Sequence, residues 1–269
     1  MTASPMLRAM RAIHFSIVLL LILFSPSLAD EPWLMGQQTL GKRVVFLGES
    51  HASEIDHRGQ LEALKALAAR SEQPLLVVAE MFNESGRETL ELSQSRPEFE
   101  DFEPEFWEQQ WGHPYALYRP IFAWLKKGGH HLTDLRPDPE RARQIKEKGI
   151  PSTLPLLGEF FLGPTAYRQK MAEVASEHLP PEVPLTSDMV DKYFLVQCFW
   201  DEYMSWRIAR LAEERPAQTV VVLVGHGHLH PEFGIPARLR RRKPDLSMLT
   251  VGFDRDNPWP ADLWWDQSE

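Results

Sequence analysis

Four short runs of nearly continuous apolar, β-branched residues punctuate the chain: Arg43 to Leu47, Leu75 to Ala79, a weaker run from His130 to Leu135, and Thr219 to Val224. None alternates between apolar and polar positions, which is the pattern of strands covered on both faces. Between the first two, Leu61, Leu64, Leu67 and Ala68 recur at helical spacing, and Glu72-Gln73-Pro74 ends that helix before the second strand. A strand, helix, strand unit of this length predicts a parallel pair. Further helices are predicted from about Tyr115 to Lys127, closed by Gly128-Gly129, and after Pro139. The β-α-β-α-β-α order predicts an α/β fold, a mostly parallel sheet flanked by helices.

Downstream the pattern is broken by Pro151, Pro155, Gly158, Gly163, Pro164, Pro180, Pro181 and Pro184, which read as a helical insertion of short pieces. From near Ser187 a long helix is predicted, because Tyr193, Val196, Trp200, Met204, Ile208 and Leu211 recur at three- and four-residue spacing until Pro216. A last strand around Ser247 to Phe253 completes the sheet. There is no internal repeat, so one domain over residues 30–269 is the simplest organisation.

The amino terminus is set apart from this domain. Arg8 and Arg11 precede an apolar stretch from Ile13 to Phe24, shorter than the ~20 residues that cross a bilayer as a helix. Ser27-Leu28-Ala29 supplies small residues for cleavage, so residues 1–29 are predicted to be a signal peptide. In a Gram-negative cell the mature protein would then be periplasmic. The single cysteine, Cys198, provides neither an internal disulfide nor a cysteine metal cluster, and none lies near the cleavage site to carry a lipid. With 29 basic and 38 acidic residues the net charge is −9, the wrong balance for a general nucleic-acid binder.

Candidate chemistry collects at strand ends. The first strand leads into Gly48-Glu49-Ser50-His51, the second into Glu80, and the fourth into Gly225-His226-Gly227-His228-Leu229-His230. In a parallel sheet these segments converge on a crevice beyond the carboxyl ends of the strands. Glu49, His51, Glu80, His226 and His228 offer the donors of a divalent metal site, such as zinc or manganese. Without a metal, His51 or His228 could act as a general base oriented by Glu49 or Glu80, the arrangement of a hydrolase. The same groups could equally serve as loop and helix-end hydrogen-bonders. A second collection is aromatic: Phe102, Phe106, Trp107, Trp111, His113, Tyr115, Tyr118 and Trp124 fall within 23 residues. It reads as packed core or as a wall for a flat ligand, and Tyr115 and Tyr118 share a helix face. Phenolate oxygen is a ligand of ferric haem iron.

Taken in order, these segments resemble the ChaN family of haem-binding proteins, within the haem-binding-uptake and TIKI superfamily. The resemblance is carried by Gly48-Glu49-Ser50-His51, Leu75 to Phe82, Trp111 to Ile121, Gln197 with Asp201 and Met204, Val224 to His228, and Gly234 to Leu239. It implies an α/β fold and haem as the bound ligand, with iron held by a tyrosine. Tyr118 matches the family's tyrosine best and Tyr115 is its neighbour. His113 or His178 would support the phenolate, and Arg119, Arg136 or Arg238 would meet the propionates. Implied partners are an outer-membrane haem receptor or a periplasmic transport protein, and a homodimer formed on haem binding. The wider superfamily also contains hydrolases, in which His51, Glu80 and His228 would be the working residues. Two departures stand out: Asp134 replaces the family's usual asparagine, and Ser205 replaces an alanine. The basic run Arg238 to Lys243 reads as a solvated helix face.

Overall fold

The computed structural model describes residues 38–39, 41–96, 101–151, 158, 160–177, 179–180 and 182–265; the predicted signal peptide and His178 lie outside them. Six strands form one parallel sheet: β1 (Val44–Glu49), β2 (Leu76–Asn83), β3 (His131–Arg136), β4 (Val220–Gly225), β5 (Met248–Gly252) and β6 (Leu263–Trp264). Their order across the sheet is β3-β2-β4-β1-β5-β6. The five predicted strands form, each shifted towards its carboxyl end by a residue or more except the last. Every residue of β1, β2 and β4 is buried, as their unbroken apolar runs require.

Eight described helices flank the sheet: α1 (Glu54–Ala68), α2 (Arg87–Ser95), α3 (Pro104–Gln110), α4 (Tyr115–Lys127), α5 (Pro139–Lys148), α6 (Thr165–Glu177), α7 (Ser187–Glu214) and α8 (Ile235–Arg242). The predicted α4 and the start of α7 agree with the structure. Helices α2 and α3 are additions: α2 buries only Leu90, and α3 spans a single pair of turns opened by Pro104, so neither leaves a periodic apolar stripe.

Strand order decides which face each helix covers. From β1 the chain passes through α1 to β2 on one side, and from β4 it passes through α8 to β5 on the other. Right-handed crossovers then place α1 and α8 on opposite faces. Accordingly, Ala63, Leu64 and Leu67 of α1 pack with Val45, Leu47 and Val77, together with Tyr118 and Ile121 of α4. On the opposite face Met204, Ile208 and Leu211 of α7 and Leu239 of α8 pack with Val44, Phe46 and Val222. The adjacent strands β1 and β4, whose connections leave in opposite directions, define the switch point where a ligand crevice opens.

Helix α7 is much longer than the strands it covers. Its 28 residues span about 42 Å against about 20 Å for six-residue β4, so its amino-terminal half projects past the sheet edge. Together with α6 this projection is the helical insertion predicted from the sequence. At the far sheet edge Gln94 of α2 closes β3: its Nε2 donates to the Leu132 carbonyl at 2.7 Å and its Oε1 accepts the Leu132 N–H at 2.9 Å. That pairing blunts an edge otherwise open to another strand.

Asp134 lies at this side too, fully buried, bound by Arg87 at 2.6 and 2.9 Å and by Arg207 at 3.2 Å. The charge that replaces the family's asparagine is thus neutralised within the fold and does not face the crevice. Met204, fully buried one turn from Asp201, fixes α7 on the sheet. Met204→Ala should cost roughly 2–5 kcal/mol by urea unfolding, the range for a core methionine lost without full collapse; a loss under about 0.5 kcal/mol would show that α7 is held elsewhere.

Candidate functional site

Strand β1 delivers Glu49 to the floor of the crevice with no side-chain exposure. A carboxylate so buried needs donors on both oxygens. Oε1 accepts from the Tyr118 hydroxyl at 2.8 Å and faces His51 Nδ1 at 3.0 Å, while Oε2 accepts from Gln60 Nε2 at 2.9 Å. With Tyr118 and Gln60 donating to the carboxylate, the proton shared between Glu49 Oε1 and His51 sits on Nδ1. Burial lowers the His51 pKa, but the Glu49 hydrogen bond and the nearby Glu80 charge outweigh it and raise the value overall. The His51 side chain remains one-third exposed (33%).

Beside it, β2 delivers Glu80. Its Oε2 accepts the Gly225 N–H at 2.6 Å, and Oε1 lies 3.4 Å from His228 Nε2. The other ring nitrogen of His228 binds Asp201 Oδ1 at 2.6 Å, and the Gln197 amide lies against the same nitrogen at 2.9 Å. Desolvation opposes charge on His228, yet Glu80 and Asp201 together push its pKa up to about 10. Glu80, which burial alone would raise, is drawn down to about 2 by His228 and His51. His228 is therefore an imidazolium clamped between two carboxylates. Behind it, Asp201 Oδ2 accepts from the Tyr167 hydroxyl at 2.5 Å, and Glu202 takes Arg238 Nη1 at 2.6 Å and also pairs with Arg242.

Two glycines permit this packing. A Cβ on Gly225 would meet His51 Cε1 at 2.7 Å, and one on Gly48 would meet the Trp259 ring at 2.4 Å. Aromatic rings form the walls. Trp111 meets His51 edge-on with centroids 4.8 Å apart, and His113 lies 5.0 Å from His51. The Arg136 guanidinium sits 4.8 Å from the Trp111 ring and 5.9 Å from Trp200. On the β5 side His226 stacks on Trp259.

The strand-end residues thus do converge: Glu49, His51, Glu80, His226 and His228 line one crevice. They do not form the metal site considered from sequence. Among the described residues no three histidine, cysteine, aspartate or glutamate side chains are grouped to hold a metal ion, because His228 spends both nitrogens on carboxylates and Glu49 and Glu80 are saturated by donors. His230 leaves the group altogether and stacks on Phe233, centroids 3.6 Å apart. The aromatic segment is mostly core: Phe102, Trp107 and Tyr118 pack around Phe82 and Phe122.

Tyr118, the tyrosine favoured from sequence, has no exposed surface. Burial and the Glu49 charge raise its pKa far above that of a free phenol. Tyr115 is half-buried, with its hydroxyl on Asp101 at 3.2 Å and its pKa pushed up to about 12, chiefly by burial. Arg119 is directed to Asp101 at 2.8 Å, away from the crevice floor. Arg238 is 1% exposed and bound to Glu202, so the basic run is no simple solvated face: two of its arginines turn inward. The sequence reading missed Tyr193, which it placed in the apolar stripe of α7. Tyr193 is 40% exposed. The interruption of that stripe by polar Gln197, four residues on, was the available signal that this stretch leaves the core.

The clamped pair has a pH signature. Lowered from 4.5, Glu80 contributes stability that is present above pH 4.5 and lost as pH falls through about 2. Raised from 6.5, His228 contributes stability fully present below pH 6.5 and lost as pH rises through about 10. His228→Gln should cost roughly 3–5 kcal/mol at neutral pH by leaving two buried carboxylates short of a partner. Urea midpoints between pH 7 and 10 should fall more steeply for the wild type than for this variant; parallel profiles would show that His228 is neutral.

None of the curated proteins matches the chain. Among solved structures, one described as cofacial haem binding to ChaN of Campylobacter jejuni superposes with a TM-score of 0.67 at 15% identity, covering 84% of this chain and 87% of that one. An erythromycin esterase EreC mutant in its open conformation gives a TM-score of 0.48 at 14% identity, over 82% of this chain and 72% of that one. The fold of the former is shared; the latter is too distant to inform the site. The family model for haem-binding uptake, Tiki superfamily, ChaN matches residues 35–239, and the chain belongs to that family.

Proposed function

We propose that the protein binds haem in the crevice at the carboxyl edge of the sheet, in the periplasm, after loss of residues 1–29. There it would pass haem between an outer-membrane receptor and a periplasmic transport protein. The observation that supports this most is the wall structure. Trp111 and Trp200 offer flat apolar surface, and the Arg136 guanidinium that lies against both, its Nη2 held by the Met81 and Gln110 carbonyls, is a cation for a propionate. Arg119 and Arg238 are already engaged by Asp101 and Glu202.

Iron is ligated by a tyrosine in this reading, and exposure favours Tyr193 over the Tyr118 and Tyr115 expected from sequence. All five tyrosines of the chain are described; Tyr118, Tyr167 and Tyr203 are buried, and Tyr115 is held by Asp101. Tyr193 is the open phenol. It stands one turn before Gln197 and two before Asp201 on α7, about 12 Å further along the axis from the crevice floor. A pair of haems bound face to face, as described for the Campylobacter jejuni protein, calls for a second copy. The exposed Leu162, Val183 and Tyr193 on and beside the helical insertion suit its approach.

Titration of residues 30–269 with ferric haem should give a saturable Soret band with a phenolate charge-transfer band. Light scattering in the same titration should show dimer formation. Tyr193→Phe should lose the charge-transfer band and weaken binding by on the order of tenfold or more, whereas Tyr118→Phe should keep the band. Absence of a saturable Soret change in the wild type would overturn the haem reading.

A further inference from the structure

Beside the outer edge of β3, towards the amino ends of β2 and β3 and so remote from the crevice, lies a groove of about 700 Å3. Its size falls in the range of ~300–1,000 Å3 typical of small-molecule sites. Strand β3 contributes Leu132 and Thr133 to it, and Gln94 of α2 faces Leu211 of α7 among the lining residues. The chain as a whole carries 38 acidic against 29 basic residues. Here the balance is reversed: Arg87, Lys126, Arg207 and Arg215 stand against Glu91 and Glu214, and Glu214 is already paired with Arg210 at 2.7 Å.

Two of these cations are held side by side. Arg87 spends Nε and Nη2 on the two oxygens of Asp134, at 2.6 and 2.9 Å. Arg207 Nη2 reaches the same Oδ1 and the Thr133 hydroxyl, both at 3.2 Å. Contact with one oxygen atom makes the two guanidiniums immediate neighbours, yet one carboxylate neutralises only one of them. Glu84, whose charge also reaches Arg87, is paired with Arg141 at 3.5 Å. Three guanidiniums therefore meet two carboxylates, and the surplus positive charge rests on side chains only 33% and 13% exposed. A charge so far removed from water calls for a counter-ion. Donors for one are unspent: Nη1 of Arg87 and of Arg207 has no hydrogen-bond partner among the described residues and is not buried, and Arg207 Nε is buried without one.

We propose that this groove binds a small soluble organic phosphate, whose phosphoryl oxygens accept from the Nη1 groups of Arg87 and Arg207. A planar carboxylate is matched by the fork of a single arginine, and the Arg87 fork is already taken by Asp134. What remains are single N–H donors on two side chains, which suit a tetrahedral oxyanion with diverging oxygens. The rest of the ligand lies along α7 towards Arg215, eight residues and about 12 Å beyond Arg207. Arg215 has no ion pair among the described residues and lines the same groove. Asp134 gains a second consequence from this arrangement: it holds the two guanidiniums together and tempers their charge. The site shares no residue with the crevice and stands independently of the haem reading.

Calorimetric titration of the protein with 6-phosphogluconate, beside inorganic phosphate and acetate at physiological ionic strength, tests the assignment. Saturable binding of 6-phosphogluconate, weaker binding of inorganic phosphate and none of acetate are expected. Arg207→Gln should weaken both phosphates by roughly tenfold or more, and Arg215→Ala should weaken 6-phosphogluconate alone. Asp134→Asn keeps the side-chain shape and releases both guanidiniums, so it should tighten phosphate binding severalfold, a gain that a purely structural role for Asp134 does not produce. Far-UV circular dichroism checks the fold of each variant. No saturable phosphate binding by the wild type, acetate bound as well as phosphate, or affinity unchanged in a folded Arg207→Gln would overturn the proposal. Should Arg207→Gln fail to fold, Asp134→Asn decides, and an affinity no higher than wild type would overturn it. Binding to phosphatidylglycerol vesicles without binding of 6-phosphogluconate would overturn the soluble ligand.

Discussion

A carboxylate buried at the end of a central strand must be surrounded by donors or it will not stay charged. Glu80 is 2% exposed, and the structure meets that demand with the Gly225 N–H from β4 and with His228, itself held by Asp201 from α7. One chain of charge thus ties β2 to β4 and both to the long helix on the opposite face. The position of α7, the overhang beyond the sheet and the walls of the crevice all depend on it. Removing any member would leave a buried charge unpaired, so the chain is best understood as a requirement of the fold that also builds the floor of the site.

Around that floor the remaining polar groups are arranged to leave little freedom. Arg238 and Arg242 reach in from α8 to Glu202, beside Asp201, so α7 and α8 are locked together by ions as well as by Met204, Ile208 and Leu239. Tyr118 and Gln60 satisfy Glu49 from α4 and α1. The result is a tightly packed base, although Trp111 Nε1, Arg136 Nε and Arg238 Nε and Nη2 are buried without a hydrogen-bond partner among the described residues. His51 stands apart from the other imidazoles in being one-third exposed. Binding energy for a ligand would not be spent on ordering such a base.

Much of this could be read in the sequence, for physical reasons. Strands buried on both faces leave continuous apolar runs, so β1, β2 and β4 are plain, and the glycine-containing segments at the ends of β1 and β4, with Glu80 in β2, mark the crevice. The convergence of Glu49, Glu80 and the His226 to His230 segment followed from the rules of parallel sheets. What the pattern did not reveal was the separate fate of each imidazole in that segment. His226, His228 and His230 alternate along the chain, yet one stacks on Trp259, one is clamped by two carboxylates, and one stacks on Phe233. The partners of His226 and His228 come from the segment after β5, from β2 and from α7, far apart in sequence, whereas His230 finds Phe233 three residues on. Likewise the exposure of Tyr193 reverses what helical spacing suggests, while the burial of Tyr118 follows the packed-core reading of its segment. Tyr118 faces the sheet from α4, whereas Tyr193 belongs to the part of α7 that has run past the sheet and has less core to meet.

The central claim is that haem sits at the carboxyl edge of the sheet, over the floor made by Glu49, His51, Glu80 and His228. The most direct test is an iron anomalous-difference map from crystals of the haem-loaded protein. A peak between His51 and the α7 wall is the expected result. An iron peak on another face of the molecule, with the crevice unchanged, would contradict it.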